Sequence, residues 1–289
     1  MKRLLKILAT LVTICCIIAG FIFYGTFISV KRVNIHNVKV YSEKIPDECN
    51  NMKIALISDL HYNGFMNKER FSSMIETINN AKPDIILFAG DVYDYPKQNP
   101  PSDEIRQELI ELLKKLEAPY GKFAVLGESD HESTLVEDTL YNLFYYADFE
   151  LLDNSSILLH KDGSKTINLV GIDSSIGGRV NIEKAMSGID VNNFTMVLTH
   201  APDIVTTLPL NDIDLILAGH SHGGQVYLPL FGALFSKEGA TKFVRGEYTL
   251  KQANAESKLI ITNGLGTSNM DIRLFAPPQC TMIRLTNQP

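Results

Sequence analysis

The chain of 289 residues has no tryptophan, an absence that leaves its function open. It has only four cysteines and no Cys-x-x-Cys pair, which argues against a thiolate zinc site and a disulfide framework. Cys15 and Cys16 lie in an apolar stretch. Cys49 and Cys280 remain, as two free thiols or, in an exported domain, as a pair. Positive charge is short as well. Lys and Arg number 27 against 33 Asp and Glu, for a formal net charge of -6. No basic surface advertises nucleic acid, and none is expected as a partner. Internal repeats and low-complexity tracts are absent.

The first notable presence is a long uncharged run. Ile7 to Val30 is long enough to cross ~30 Å of hydrocarbon as a helix. Lys2, Arg3 and Lys6 precede it, and Lys31 and Arg32 follow. A secretory h-region is usually shorter, about 7–15 residues, and ends in an Ala-x-Ala-like site that is not evident here. Residues 1–32 therefore read as a retained signal anchor, with a cleaved signal peptide as the alternative. The basic residues favour an inside N-terminus. That gives a single-pass cell-membrane protein with residues 33–289 as one extracytoplasmic α/β domain.

Val33 to Tyr41 alternates as an edge strand. Ile54 to Ile57, Asp84 to Ala89 and Lys122 to Leu126 are apolar strands, each followed by a polar loop and a helix: 67–80, 103–116 and about 135–146. A proline-rich turn falls at Pro96–Pro101. Beyond Glu150 the chain becomes strand-rich, with strand-like segments at 157–159, 167–172, 196–198, 213–218, 225–228, 242–249, 258–262 and 281–285 and one short helix at 181–187. Such layering indicates an α/β fold, whose ligands collect beyond the carboxyl ends of strands.

Metal-competent residues recur at those ends: Asp59 and His61, Asp91, Asp130 and His131, His200, then His220 and His222. His36 and His160 read as surface histidines. Asp59 and His61 are two apart, so an extended strand end would put them on one side. Imidazole with carboxylate suits Zn, Fe, Mn or Ni. There are too many ligands for a single ion, and the set suggests two divalent ions sharing a carboxylate.

Asp59-Leu60-His61, Gly90-Asp91-Val92-Tyr93-Asp94, His200 and Gly219-His220-Ser221-His222 resemble, in order and spacing, the motifs of the calcineurin-like metallophosphoesterase superfamily, and the anchor with Gly264-Leu265-Gly266-Thr267-Ser268 and Arg273-Leu274-Phe275-Ala276-Pro277-Pro278 resembles a bacterial membrane-associated branch. The resemblance implies a two-sheet β-sandwich flanked by helices. It implies that Asp59, His61 and His222 hold one metal, that Asp91 bridges, and that His200 and His220 serve the second. It gives His131 the leaving-group role, oriented by Asp94, and a metal-bridging hydroxide the attack on phosphorus. The substrate would be a phosphoester, and the anchor allows a lipid-linked or envelope-derived one.

The third motif departs from the family's Gly-Asn-His-Asp/Glu. Gly127-Glu128-Ser129-Asp130-His131-Glu132 puts Asp130 at the asparagine position if counted back from His131, and Glu128 there if counted forward from Gly127. The histidine favours Asp130. An extra carboxylate lowers the site's positive charge and costs a dianionic monoester more than a monoanionic diester. Diester or pyrophosphate-type linkages are then expected, unless an added lysine restores the charge. The alternatives are a non-catalytic metal-stabilised scaffold and a cytoplasm-facing nucleotide phosphodiesterase. Gly177-Gly178-Arg179 reads as a turn or phosphate cradle, Arg273 as a surface or substrate-facing arginine. Tyr141, Phe144, Tyr145 and Tyr146 read as a helix with one wet edge or a lipid contact.

Overall fold

The structure, a computed structural model, describes residues 1–94, 100–252 and 255–288. Helix α1, Lys2–Phe23, has no buried side chain and continues through a π turn at Tyr24–Ile28 and a 3-10 turn at Ser29–Lys31. Its most apolar stretch has a mean hydropathy of 2.5, so by length and composition it can cross a membrane. Then come β1 (Asn34–Tyr41), β2 (Lys53–Ile57), α2 (Lys68–Asn80), β3 (Ile85–Phe88), α3 (Asp103–Lys114), β4 (Lys122–Ala124), α4 (Thr134–Tyr146) and β5 (Glu150–Leu151). Local chemistry sets the helices. Asn67 caps α2 by accepting from Arg70 N at 3.0 Å, and Phe71, Met74, Ile75 and Ile78 form its buried face. Of the expected proline-rich turn, Pro96 to Asn99 lie outside the described residues.

The second half contains β6 (Ser155–His160), β7 (Thr166–Gly171), α5 (Ile182–Met186), β8 (Phe194–Leu198), β9 (Leu215–Ala218), β10 (Tyr227–Leu228), β11 (Gly232–Ala233), β12 (Gly246–Gln252), β13 (Ala255–Ile261) and β14 (Gln279–Thr286). The strand expected from Lys242 begins only at Gly246. The amides of Thr241, Lys242 and Phe243 instead donate to the carboxylate of Asp203, which folds that segment into a loop.

One sheet runs β1-β14-β2-β3-β4-β5 and the other β12-β13-β9-β8-β7-β6. β2 to β5 are parallel, as are β7, β8, β9 and β13. Ile54, Leu56, Ile85 and Leu87 fill the core between the sheets, while Ala55, Ile57, Ile86 and Phe88 pack beneath α2, α3 and α4. Both faces of β2 and β3 are buried, which is why they read as unbroken apolar runs. A third cluster under α5 covers the outer face of the second sheet. The molecule is a two-sheet α/β sandwich flanked by helices, with one apolar N-terminal helix. Cys49 and Cys280 are both buried and unpaired.

Candidate metal centre

The loops after β2, β3, β8 and β9 converge. Donor atoms of Asp59, His61 and His222 lie within 4.8 Å of one another, as do those of Asp91, His200 and His220. Asp91 joins the two groups, its Oδ2 lying 3.5 Å from His61 Nε2 and 3.3 Å from His200 Nε2. Its Oδ1 accepts from Ser129 N at 2.9 Å and from Ser129 Oγ at 3.0 Å, which turns Oδ2 into the gap. All six residues are buried. Burial opposes ionisation of Asp91, but His200 and His61 hold it well below the usual carboxylate range.

Strand alternation is not what unites Asp59 and His61. β2 ends at Ile57, and the two residues have φ of 51° and 47°. Asp91, His220 and His222 are also left-handed, at 62°, 67° and 52°. Such backbone costs on the order of 1 kcal/mol or more per non-glycine residue and collects at functional sites. Asp59 N donates to Gly90 O at 2.9 Å and Leu60 N to Asp91 O at 2.8 Å, so the β2 and β3 loops brace each other. Gly127 sits so close to Asp91 that a Cβ there would overlap the carboxylate.

The donor set fits cations. His200 Nδ1 donates to Ala89 O at 2.6 Å, and His220 Nε2 donates to Glu238 O at 2.6 Å. These contacts orient the rings and turn His200 Nε2 and His220 Nδ1 toward each other at 3.0 Å, where each neutral imidazole would offer a lone pair to a cation. His61 Nε2 and His222 Nε2 face each other at 3.1 Å. Asp59 Oδ1 and Asp91 Oδ2 are buried without a hydrogen-bond partner among the described residues. Converging lone pairs and unpartnered carboxylate oxygens are what positive ions would relieve.

The third motif requires a correction. Asp130 is not placed as a ligand. Its Oδ2 accepts from Asp91 N at 2.9 Å and Gly127 N at 2.8 Å, and its Oδ1 from Val92 N at 3.0 Å. Both oxygens are spent on backbone amides. Glu128, the residue set aside in counting, lies with Oε2 3.6 Å from His220 Nδ1. Burial and then Asp91 raise its proton affinity. Of the two registers, this geometry favours the one counted forward from Gly127, in which Glu128 faces the second group.

His131 is held between two carboxylates. Its Nδ1 meets Glu137 Oε1 at 2.8 Å and its Nε2 meets Asp173 Oδ1 at 2.6 Å, so neither nitrogen is open. Arg179 binds Glu137, and its amide donates to Asp173. The Gly177-Gly178-Arg179 turn thus closes a carboxylate clamp, rather than cradling phosphate. Asp94 does not orient His131. Its Oδ1 is 3.5 Å from His61 Nδ1 and has no hydrogen-bond partner among the described residues.

Burial disfavours the His131 imidazolium, but Asp173 and Glu137 raise its pKa to about 9. A raised folded pKa contributes stability that is complete below the unfolded value of about 6.5 and is lost as pH rises through about 9. Unfolding free energy across that window should therefore fall less in His131→Gln than in the native chain. An identical pH slope in both would exclude a charged His131.

Two further residues bear on the cluster from outside these motifs. Lys237 Nζ is buried without a hydrogen-bond partner among the described residues, and its charge bears on Asp91, Glu128, His220 and His222. Arg273 is not a surface residue. It is fully buried and donates to the carbonyls of His222, Asn263, Gly264, Gly266 and Ala276. It ties the His222 loop to the 263–266 loop, which packs on Asp59. Arg273→Met strands these carbonyls and should cost about 3 kcal/mol or more, read by thermal unfolding in detergent. A shift within error would show that the carbonyls find other donors. Tyr145 and Tyr146 are exposed while Phe144 is buried, as for a core helix with one wet edge.

Residues 52–224 match the calcineurin-like phosphoesterase family. The uncharacterized metallophosphoesterase YkuE of Bacillus subtilis is 29% identical over 264 residues, covering 91% of this chain and 88% of its own length. A Danio rerio transmembrane protein with metallophosphoesterase domain is 23% identical over 274 residues, 91% of this chain and 59% of that protein. Among solved structures, TT1561 of Thermus thermophilus superposes with a TM-score of 0.46 at 9% identity, over 75% of this chain and 91% of that one. With the matched segment spanning the converging loops, the chain belongs to the calcineurin-like phosphoesterase family and is a metal-dependent phosphoester hydrolase.

Proposed function

We propose a membrane-anchored phosphoesterase that works with two divalent ions. Asp59, His61 and His222 would hold one, His200, His220 and Glu128 the other, and Asp91 both. The observation that carries this reading is the Asp91 Oδ2 atom, buried without a hydrogen-bond partner among the described residues and within 3.5 Å of an imidazole nitrogen from each group. When bound, the ions would neutralise phosphoryl oxygens and activate water. The chain's own part is positional. Ser129 pins one oxygen of Asp91, Ala89 O and Glu238 O orient the rings of His200 and His220, and Asp130 locks the Gly127 turn to the β3 loop. Mixed imidazole and carboxylate donors favour Mn, Fe, Zn or Ni.

His131 has no nitrogen to offer a leaving group, so the best substrates are those whose leaving group departs without a proton. Pyrophosphate-type linkages meet that demand, as do activated diesters. The charge argument for diesters is weakened, because Lys237 returns the charge that Glu128 adds. The apolar α1 supports a membrane location, with residues 1–32 as anchor and 33–289 as the catalytic domain. The basic residues before it favour an extracytoplasmic domain.

The test is metal analysis of the purified full chain, with turnover of p-nitrophenyl phosphate, bis(p-nitrophenyl) phosphate and a pyrophosphate diester. Two metals and faster diester or pyrophosphate hydrolysis are expected. Two metals with no turnover of any ester would return the scaffold reading, which the altered third motif favours. Protease access in intact cells reads the orientation.

A further inference from the structure

The hairpin that leaves His222 carries apolar side chains that nothing among the described residues covers. Gly223 and Gly224 lead into β10 and β11, joined by a turn through Pro229, Leu230 and Phe231. Leu230 is 102% exposed and Phe231 84%, and Leu234 and Phe235 beside them are 53% and 56% exposed. A two-stranded hairpin is marginal in water by itself, and soluble proteins seldom display such a cluster.

The patch is continuous with α1. Val226 bridges Leu274, and Tyr227 N donates to Leu274 O at 2.9 Å. The neighbouring Phe275, also exposed, sets its ring 6.0 Å from that of Phe21. Phe21 lies inside the uncharged run. A hydrocarbon core spans about 20 helical residues, which counted from Ile7 reaches about Thr26, so Phe21 is within it. With α1 across a bilayer, Phe275 meets it below the hydrocarbon boundary. Residues suited to the headgroup layer stand alongside. Arg245 lies 4.3 Å over the Tyr227 ring and donates to Phe275 O at 2.9 Å.

We infer that the hairpin, with Leu234, Phe235 and Phe275, dips into the bilayer leaflet where α1 emerges and holds the His222 loop at headgroup level. The occupant of the patch is lipid. The substrate class that follows is amphiphilic: a lipid carrying a phosphoester or pyrophosphate-linked headgroup, presented from the membrane plane. This deepens the proposed function and rests on it for the membrane-spanning α1 and for the reaction.

The absence of native tryptophan makes the test direct. The 289-residue chain carrying Phe231→Trp, and separately Phe21→Trp, is reconstituted in phosphatidylcholine–phosphatidylglycerol vesicles with and without brominated acyl chains. Both tryptophans should be quenched by the brominated lipid and shielded from aqueous iodide. Quenching of Phe21→Trp alone would overturn the inference and leave the patch to a protein partner, and quenching of neither would overturn it too. In a second arm, Leu230→Glu with Phe231→Glu should lower turnover of a vesicle-borne lipid pyrophosphate roughly fivefold or more, with bis(p-nitrophenyl) phosphate hydrolysis unchanged. Equal loss on both substrates would also count against it. Quenching without hydrolysis of any ester would instead sink the phosphoesterase reading and leave the membrane contact standing.

Discussion

Asp91→Asn is expected to strip the protein of most bound metal and to slow turnover by roughly 10³-fold or more, because bound ions contribute several kcal/mol to transition-state charge stabilisation. The reason is local. Asp91 Oδ2 is within 3.5 Å of both His61 and His200, so one amide substitution removes a negative charge from both groups. The fold should survive, since asparagine keeps an oxygen for the Ser129 amide. The check is metal content by mass spectrometry beside kcat on an activated diester. Two full equivalents of metal with native turnover would sink the shared-ligand assignment.

The second large effect separates Glu128 from Asp130, and then Glu128 from Lys237. Glu128→Ala should weaken one of the two metals by about 10²-fold, and the protein should remain folded. Asp130→Ala should do the reverse, costing several kcal/mol of stability by stranding three buried amides at roughly 1–3 kcal/mol each. Metal titration by calorimetry and thermal unfolding read the two outcomes independently. Normal stability in Asp130→Ala with a lost metal would restore the register read from His131. Selectivity then depends on two opposite charges. A unit charge acting across ~6–12 Å at an effective dielectric of ~20 is worth about 1–3 kcal/mol per unit of ligand charge. Lys237→Met should therefore raise the diester-to-monoester ratio of kcat/KM on the order of tenfold, and Glu128→Asn should lower it. Movement of both ratios in the same direction would exclude charge as the selector.

Much of the fold was legible because β2, β3, β8 and β9 are buried on both faces and α2, α4 and α5 carry side-chain caps. Asn67 and the Phe71–Ile78 face announce α2 without help from tertiary structure. The ligand residues were legible for a chemical reason, since buried aspartates and histidines beside glycines at strand ends have few structural uses. The third motif was not. Glu128 and Asp130 are both acids, and which one faces the cluster depends on whether the β3 loop offers its amides to the other. The burial of Arg273 was not legible because it depends on how the His222 loop and the nearby 263–266 and Ala276 carbonyls close around one guanidinium, which composition does not reveal. Lys237 belongs to no motif, and only the folded chain shows where its ammonium is buried.

The exit of α1 bears on how the protein can be divided. Gly25, Ser29 and Val30 are buried, and Gly25 O accepts from Arg273 N at 3.1 Å, on the same residue whose guanidinium holds the His222 loop. The last turns of the anchor segment therefore pack into the folded body and are not a free tether. A soluble fragment started at residue 33 would leave an empty socket where Val30 sat and would slacken the wall behind His222. One started in the exposed part of α1, a turn before Gly25, would keep the socket filled. Two such fragments of similar length would then differ in metal affinity, although the missing residues touch no ligand.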